Sequence, residues 1–93
     1  MSQKRKGTAR EYRSMRLLEA AGYTVFRMAG SHGLFDLIGI SPTDILCIQV
    51  KSRDLPGLQA REALEGFKAP ANCRKIVYRW RDGQRHPDVI ELP

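Results

Sequence analysis

The stretch FDLIGISPTDILCIQVK, residues 35–51, constrains the fold more than any other part of the chain. Two short runs rich in apolar and β-branched residues flank S-P-T-D, where proline presets a turn and serine and aspartate bond nearby backbone. With residues 41–44 as the loop, Ile40 faces Ile45, Ile38 faces Cys47 and Asp36 faces Gln49. Directly opposed Cβ atoms lie about 5 Å apart. Alternation carries Lys51 to the same face as Gln49. Three polar groups thus gather at the end of an apolar hairpin away from its turn, unless a bulge breaks the register. A structural ion pair at a sheet end and a reactive cluster both fit that pattern.

The flanking sequence supplies the rest of one domain. Residues 8–21 read as a helix stopped by Gly22, a C-terminal cap, and residues 23–29 as a strand followed by the loop G-S-H-G. Residues 58–68 predict a second helix with Ala60, Ala63, Leu64 and Phe67 on its buried stripe. Residues 73–80 and 86–92 are strands around an Asp-Gly turn. The order α-β-β-β-α-β-β implies one mixed central sheet flanked by helices, an α/β (α+β) architecture. Residues 1–7 read as a basic flexible arm and residues 8–93 as a single domain, the 93 residues sufficing for one small core.

A fourth polar group comes from the first helix. At about 100° per residue, Glu11, Met15, Leu18 and Gly22 share a face, so Glu11 points toward the sheet. A buried carboxylate there needs a charge partner, donors or a cation. Equally, Thr8-Ala9-Arg10-Glu11 fits a capping box in which Glu11 bonds back to the backbone of Thr8.

Sixteen Lys and Arg against ten Asp and Glu give a formal charge of +6, and eleven of the sixteen are arginine. Arginine matches phosphate geometry, which points to nucleic acid; a solvated basic surface is the alternative. Cys47 and Cys73 have no C-x-x-C spacing or histidine pair, so neither a zinc site nor a disulfide framework is expected. No apolar run is long enough to span a bilayer and no signal peptide is recognisable, so a cytoplasmic location is expected. A viral protein acting in host cytoplasm fits equally.

Two carboxylates with an amide oxygen suit Mg²⁺, which binds few protein ligands and leaves room for water and phosphate. A nearby lysine can orient water or offset charge on a pentavalent phosphate. These parts, in this order, resemble the PD-(D/E)xK nuclease superfamily, and within it the archaeal-type Holliday junction resolvases and the small VRR-NUC nucleases. The resemblance runs from G-x-x-x-E (Gly7, Glu11) through L-L-E-A-A-G-Y, Arg27, the loop Gly30-Ser31-His32-Gly33 and Asp36-Leu37-Ile38 to I-Q-V-K.

The resemblance implies a restriction-endonuclease-like core and a Mg²⁺-dependent endonuclease acting on branched DNA, with Mn²⁺ as a substitute metal. It implies Glu11, Asp36 and Gln49 as metal ligands, Lys51 as the catalytic lysine and Ser31 near the scissile phosphate. Gln59 resembles a helix glutamine of VRR-NUC members, or is simply a surface glutamine. Lys4, Arg5 and Lys6 on the arm, with Arg10, Arg27, His32 and Arg53, make the expected DNA-contacting set. For Arg10, with Arg13 and Arg16, a solvated helix face is the alternative; for His32, an exposed loop position without a task. Resolvases of this type act as two-fold dimers, so a homodimer is expected.

Two departures stand out. Phe35 occupies the usual proline position. Gln49 occupies the position of an acid and brings no negative charge, so a nuclease fold that binds DNA with weak or lost cleavage is the competing expectation.

Overall fold

A computed structural model of the chain describes residues 3–28 and 33–93, with side chains from residue 7 onward. The elements are α1 (Gln3–Ala20), β1 (Thr24–Arg27), β2 (Leu37–Ile40), β3 (Ile45–Ser52), α2 (Leu58–Gly66), β4 (Cys73–Trp80) and β5 (Asp88–Leu92). They form one five-stranded sheet in the order β1-β2-β3-β4-β5. Neighbours are antiparallel except β3 and β4, which run parallel across the α2 crossover. The α+β order is the one the sequence implies.

Helix α1 starts at Gln3 rather than Thr8. The run Q-K-R-K consists of good helix formers, and their propensity outweighs the charge pattern that reads as an arm. Lys4, Arg5 and Lys6 therefore stand on the helix backbone, while their side chains lie outside the described residues. Thr8 is inside the helix and cannot be its N-cap, which removes the capping-box explanation of Glu11. At the other end Gly22, at φ 99°, turns the chain out of α1, and the N–H of Tyr23 returns to the Leu18 carbonyl at 3.0 Å.

Alternation splits the sheet into two faces. Leu37, Leu46, Ile48 and Ile76 pack with Leu18, Met15, Val25, Val50 and Tyr78 beneath α1. Each fully buried aliphatic side chain stabilises the fold by roughly 1.5–3 kcal/mol. The opposite face carries Val77, Leu92 and Ile90 against Leu64, Leu34 and Phe35. Of the stripe expected on α2, only Leu64 is buried; Ala60 is half-buried, and Ala63 and Phe67 are exposed. The helix stops at Gly66 because Lys75 donates to the carbonyls of Leu64, Glu65 and Phe67 at 2.8–2.9 Å, closing its C-terminus. Phe35 meets the Phe67 ring edge-to-face at 5.4 Å, so an aromatic contact rather than a proline fixes the entry to β2. Cys47 and Cys73 remain free thiols, yet their sulfurs lie 3.2 Å apart across β3 and β4.

Candidate active site at the end of the sheet

The hairpin turns where the sequence says it should. The N–H of Ser41 reaches the Asp44 carbonyl at 2.9 Å and its hydroxyl reaches Asp44 Oδ1 at 2.6 Å. Ile40 faces Ile45 and Ile38 faces Cys47. At the far end the count fails. The last ladder pair is Leu37 with Ile48, and the N–H of Asp36 also donates to the Ile48 carbonyl at 2.8 Å. Asp36 is therefore not in simple opposition to Gln49. A kink of this kind re-aims the side chain, and Asp36 Oδ2 accepts the N–H of Val50 at 2.8 Å.

Asp36 sits between two groups on different faces. Ile48 and Val50 pack beneath α1, so alternation puts Gln49 and Lys51 on the other face, beside Val77 and Arg79 of β4. On the α1 side, Arg27 Nε donates to Glu11 Oε1 at 2.8 Å in a half-buried ion pair, its guanidinium 5.1 Å above the Tyr12 ring. Burial pushes the Asp36 carboxyl above its usual range; the Val50 N–H and the charges of Lys51 and Arg27 pull it partly back. The charges of Lys51 and Arg27 thus both act on Asp36, and Arg27 is itself bonded to Glu11. Glu11 comes from the α1 face, as its helix position implies, whereas Gln49 and Lys51 lie on the other face of β3.

Gln49 carries the least satisfied polar atom of the site. Its Oε1 is buried and has no hydrogen-bond partner among the described residues. No cluster of three His, Cys, Asp or Glu side chains suited to an ion occurs among the described residues. The flanks of the Leu37–Ile48 pair offer fewer oxygens, one carboxylate at Asp36 and one amide at Gln49. This set fits a hard cation that keeps several waters, and it leaves Gln49 Oε1 a use that no protein donor fills.

The expected DNA contacts divide. Arg10 is not available: it is 7% exposed, with Nη1 on the Trp80 carbonyl at 2.7 Å and Nη2 on Asp82 Oδ1 at 2.6 Å. Ser14 completes the closure, its Oγ accepting Trp80 Nε1 at 2.8 Å while donating to the Arg10 carbonyl at 2.8 Å. This arginine faces inward because Trp80 occupies the α1 side of β4, a pairing invisible before the strands are aligned. Arg27 is likewise committed, to Glu11. Arg53 is exposed at φ 71°, its N–H on the Trp80 carbonyl at 2.8 Å. Gln59 is an exposed position of α2. Ser31 and His32 lie outside the described residues. Sequence reasoning missed Arg79, which the parallel register places beside Lys51.

With this geometry in view, two comparisons bear on the chain. The family model for the archaeal Holliday junction resolvase (Hjc) matches residues 2–65, more than half of the sequence. Among solved structures, Hjc from the archaeal hyperthermophile Archaeoglobus fulgidus, a Holliday junction resolvase, is similar with a TM-score of 0.70 and 25% identity. The match covers 95% of this chain and 72% of that one.

Proposed function

The chain belongs to the archaeal Holliday junction resolvase family, and from that premise we propose that it cuts phosphodiester bonds in four-way DNA junctions, using Mg²⁺ or Mn²⁺. The observation that carries this reading is Asp36: a half-buried carboxylate under the charges of Lys51 and Arg27, while the strand paired with β2 carries, at Gln49, a buried amide oxygen with no partner among the described residues. Asp36 and Gln49 would hold the cation. When bound, it would supply charge stabilisation at the phosphate and a more acidic water.

The chain's own groups would do the rest. Lys51, beside Asp36, orients the attacking water and offsets negative charge growing on the phosphate. The Val50 N–H fixes the Asp36 carboxylate, so its position requires no rearrangement when substrate arrives. Glu11 would reach the ligand set through Oε2, or through both oxygens once Arg27, which now holds Oε1, turns to a phosphate. A homodimer belongs to this reading. Phe26 and Ile40, on the side of β1 and β2 away from α1, are 53% and 43% exposed, which leaves apolar surface for a second copy.

Gln49 favours a second reading, a nuclease fold that binds junctions and cuts them weakly, because a neutral ligand binds the metal less tightly. One assay separates the two. Labelled junction, flap and linear duplex are incubated with Mg²⁺ or Mn²⁺ beside Lys51→Ala. Junction cleavage by the native chain that disappears in the variant supports the nuclease. Junction binding without cleavage supports the second reading, and cleavage that survives Lys51→Ala overturns the site.

A further inference from the structure

The β4–β5 turn, residues 81–86, lies beyond the segment that matches the family model and takes no part in the site described above. Its position follows from the parallel pairing. Lys51 stands beside Arg79 and Ser52 beside Trp80, so β3 and β4 leave the sheet at the same end. Arg53 and Arg81 therefore emerge next to each other, and the turn that follows leaves from the sheet end that carries Lys51.

The turn is built rather than loose. Gln84 Oε1 accepts the N–H of Arg81 at 2.6 Å, and Gln84 Nε2 donates to Asp88 Oδ1 at 3.1 Å. Gly83 adopts φ 83°, which lets the chain reverse. From α1, Arg10 holds Asp82, and Arg13 donates to the carbonyls of Gln84 and Arg85 at 3.3 and 3.4 Å. The Arg13 guanidinium also lies 4.4 Å from the Trp80 ring centroid. Arginines of α1 thus fix a turn that itself carries arginines.

The charge balance is lopsided. Asp82 is engaged by Arg10, and Asp88 is shared by Arg79 and Arg81 at 2.9 and 3.2 Å. Five arginines (10, 13, 79, 81 and 85) thus face two aspartates, before Arg53 and Lys51 at the same edge are counted. Arg81 and Arg85 are exposed. A rigid, net-positive projection is complementary to a line of phosphates, which guanidinium groups bind in bidentate fashion.

We propose that the β4–β5 turn, through Arg81 and Arg85 with Arg53 beside them, grips the phosphate backbone of the DNA duplex arm that leaves the cleavage site. The inference rests on the nuclease reading for the position of the DNA, yet its test does not depend on cleavage. These contacts position the substrate and carry no sequence preference.

The test is fluorescence anisotropy of the full chain with a labelled four-way junction in EDTA across a salt series. It compares the native protein, Arg81→Gln/Arg85→Gln and the control Arg61→Gln, an exposed arginine on α2 paired with Glu65. Each lost phosphate contact lowers the magnitude of the log Kd against log salt slope by about 0.9. The double variant should therefore lose roughly one to two units of slope and bind more weakly at physiological salt. The control should match the native slope. Single-turnover cleavage by the Arg61→Gln control should match the native rate. An unchanged slope overturns the grip, whatever the cleavage result. A full native slope with cleavage lost at saturation also overturns it, since the turn would then act on the chemistry. If the native chain binds but never cuts, the nuclease reading fails alone and the slope difference still decides the grip.

Discussion

Around Trp80, buried polar atoms close on one another: Arg10 on the Trp80 carbonyl and Asp82, the indole N–H on Ser14, Ser14 on the Arg10 carbonyl. Around Asp36, a short distance along the same sheet end, they do not. A carboxylate is pushed toward protonation by burial, an amide oxygen has no partner among the described residues, and an acid and a base from the α1 side are tied to each other instead. Both clusters combine arginine or lysine with aspartate. Closure marks the first as architecture; the open valences of the second are what a cation and a phosphate would complete.

Substitutions break the comparison in graded ways. The largest effect falls on cleavage: Lys51→Ala and Asp36→Asn should each lower single-turnover junction cleavage by about 10²–10⁴-fold while binding persists. On the closed side, Trp80→Ala should cost about 3–5 kcal/mol of stability by denaturant unfolding. Arg10→Met should cost about 2 kcal/mol by removing the charge-assisted bonds to the Trp80 carbonyl, which keeps the Arg53 N–H, and to Asp82. Any loss of junction affinity in folded Arg10→Met should vanish in the Arg81→Gln/Arg85→Gln background, because Arg10 acts only by holding Asp82 of the turn; a loss that persists there would restore Arg10 as a DNA contact.

The smallest effect is the most diagnostic of the open side. A carboxyl raised above its unfolded value costs stability once ionised. Metal-free Asp36→Asn should therefore melt slightly above the native protein at neutral pH. The difference should shrink as pH falls through the raised Asp36 titration, where the native carboxyl takes up its proton. A melting gain that persists unchanged at acid pH would contradict the burial of that charge.

How much of this was legible beforehand depends on the range of the interactions. The hairpin register to Ile38 and Cys47, the Gly22 stop and the β4 bounds are local, set by turn residues and alternation, and the sequence carries them. The Asp36 kink was not readable, because it depends on backbone bonds to Ile48 and Met28 that alternation does not encode. Arg10 was misplaced for a related reason. Helix periodicity puts it away from Glu11, but only the parallel β3–β4 pairing brings Trp80 and Asp82 to meet it. The start of α1 was hidden by charge, since K-R-K reads as an arm as readily as a helix turn. The position of Arg79 beside Lys51 needed the crossover direction, which no local pattern supplies.

If the Asp36 carboxylate, held by the Val50 N–H, and the unpartnered Gln49 Oε1 together form a cation site, calorimetric titration of Mn²⁺ into the DNA-free chain shows it without reference to catalysis. The native protein should bind Mn²⁺, Asp36→Asn should lose at least about tenfold in affinity, and Gln49→Glu should gain about as much. Mn²⁺ affinity indifferent to both substitutions would contradict the account.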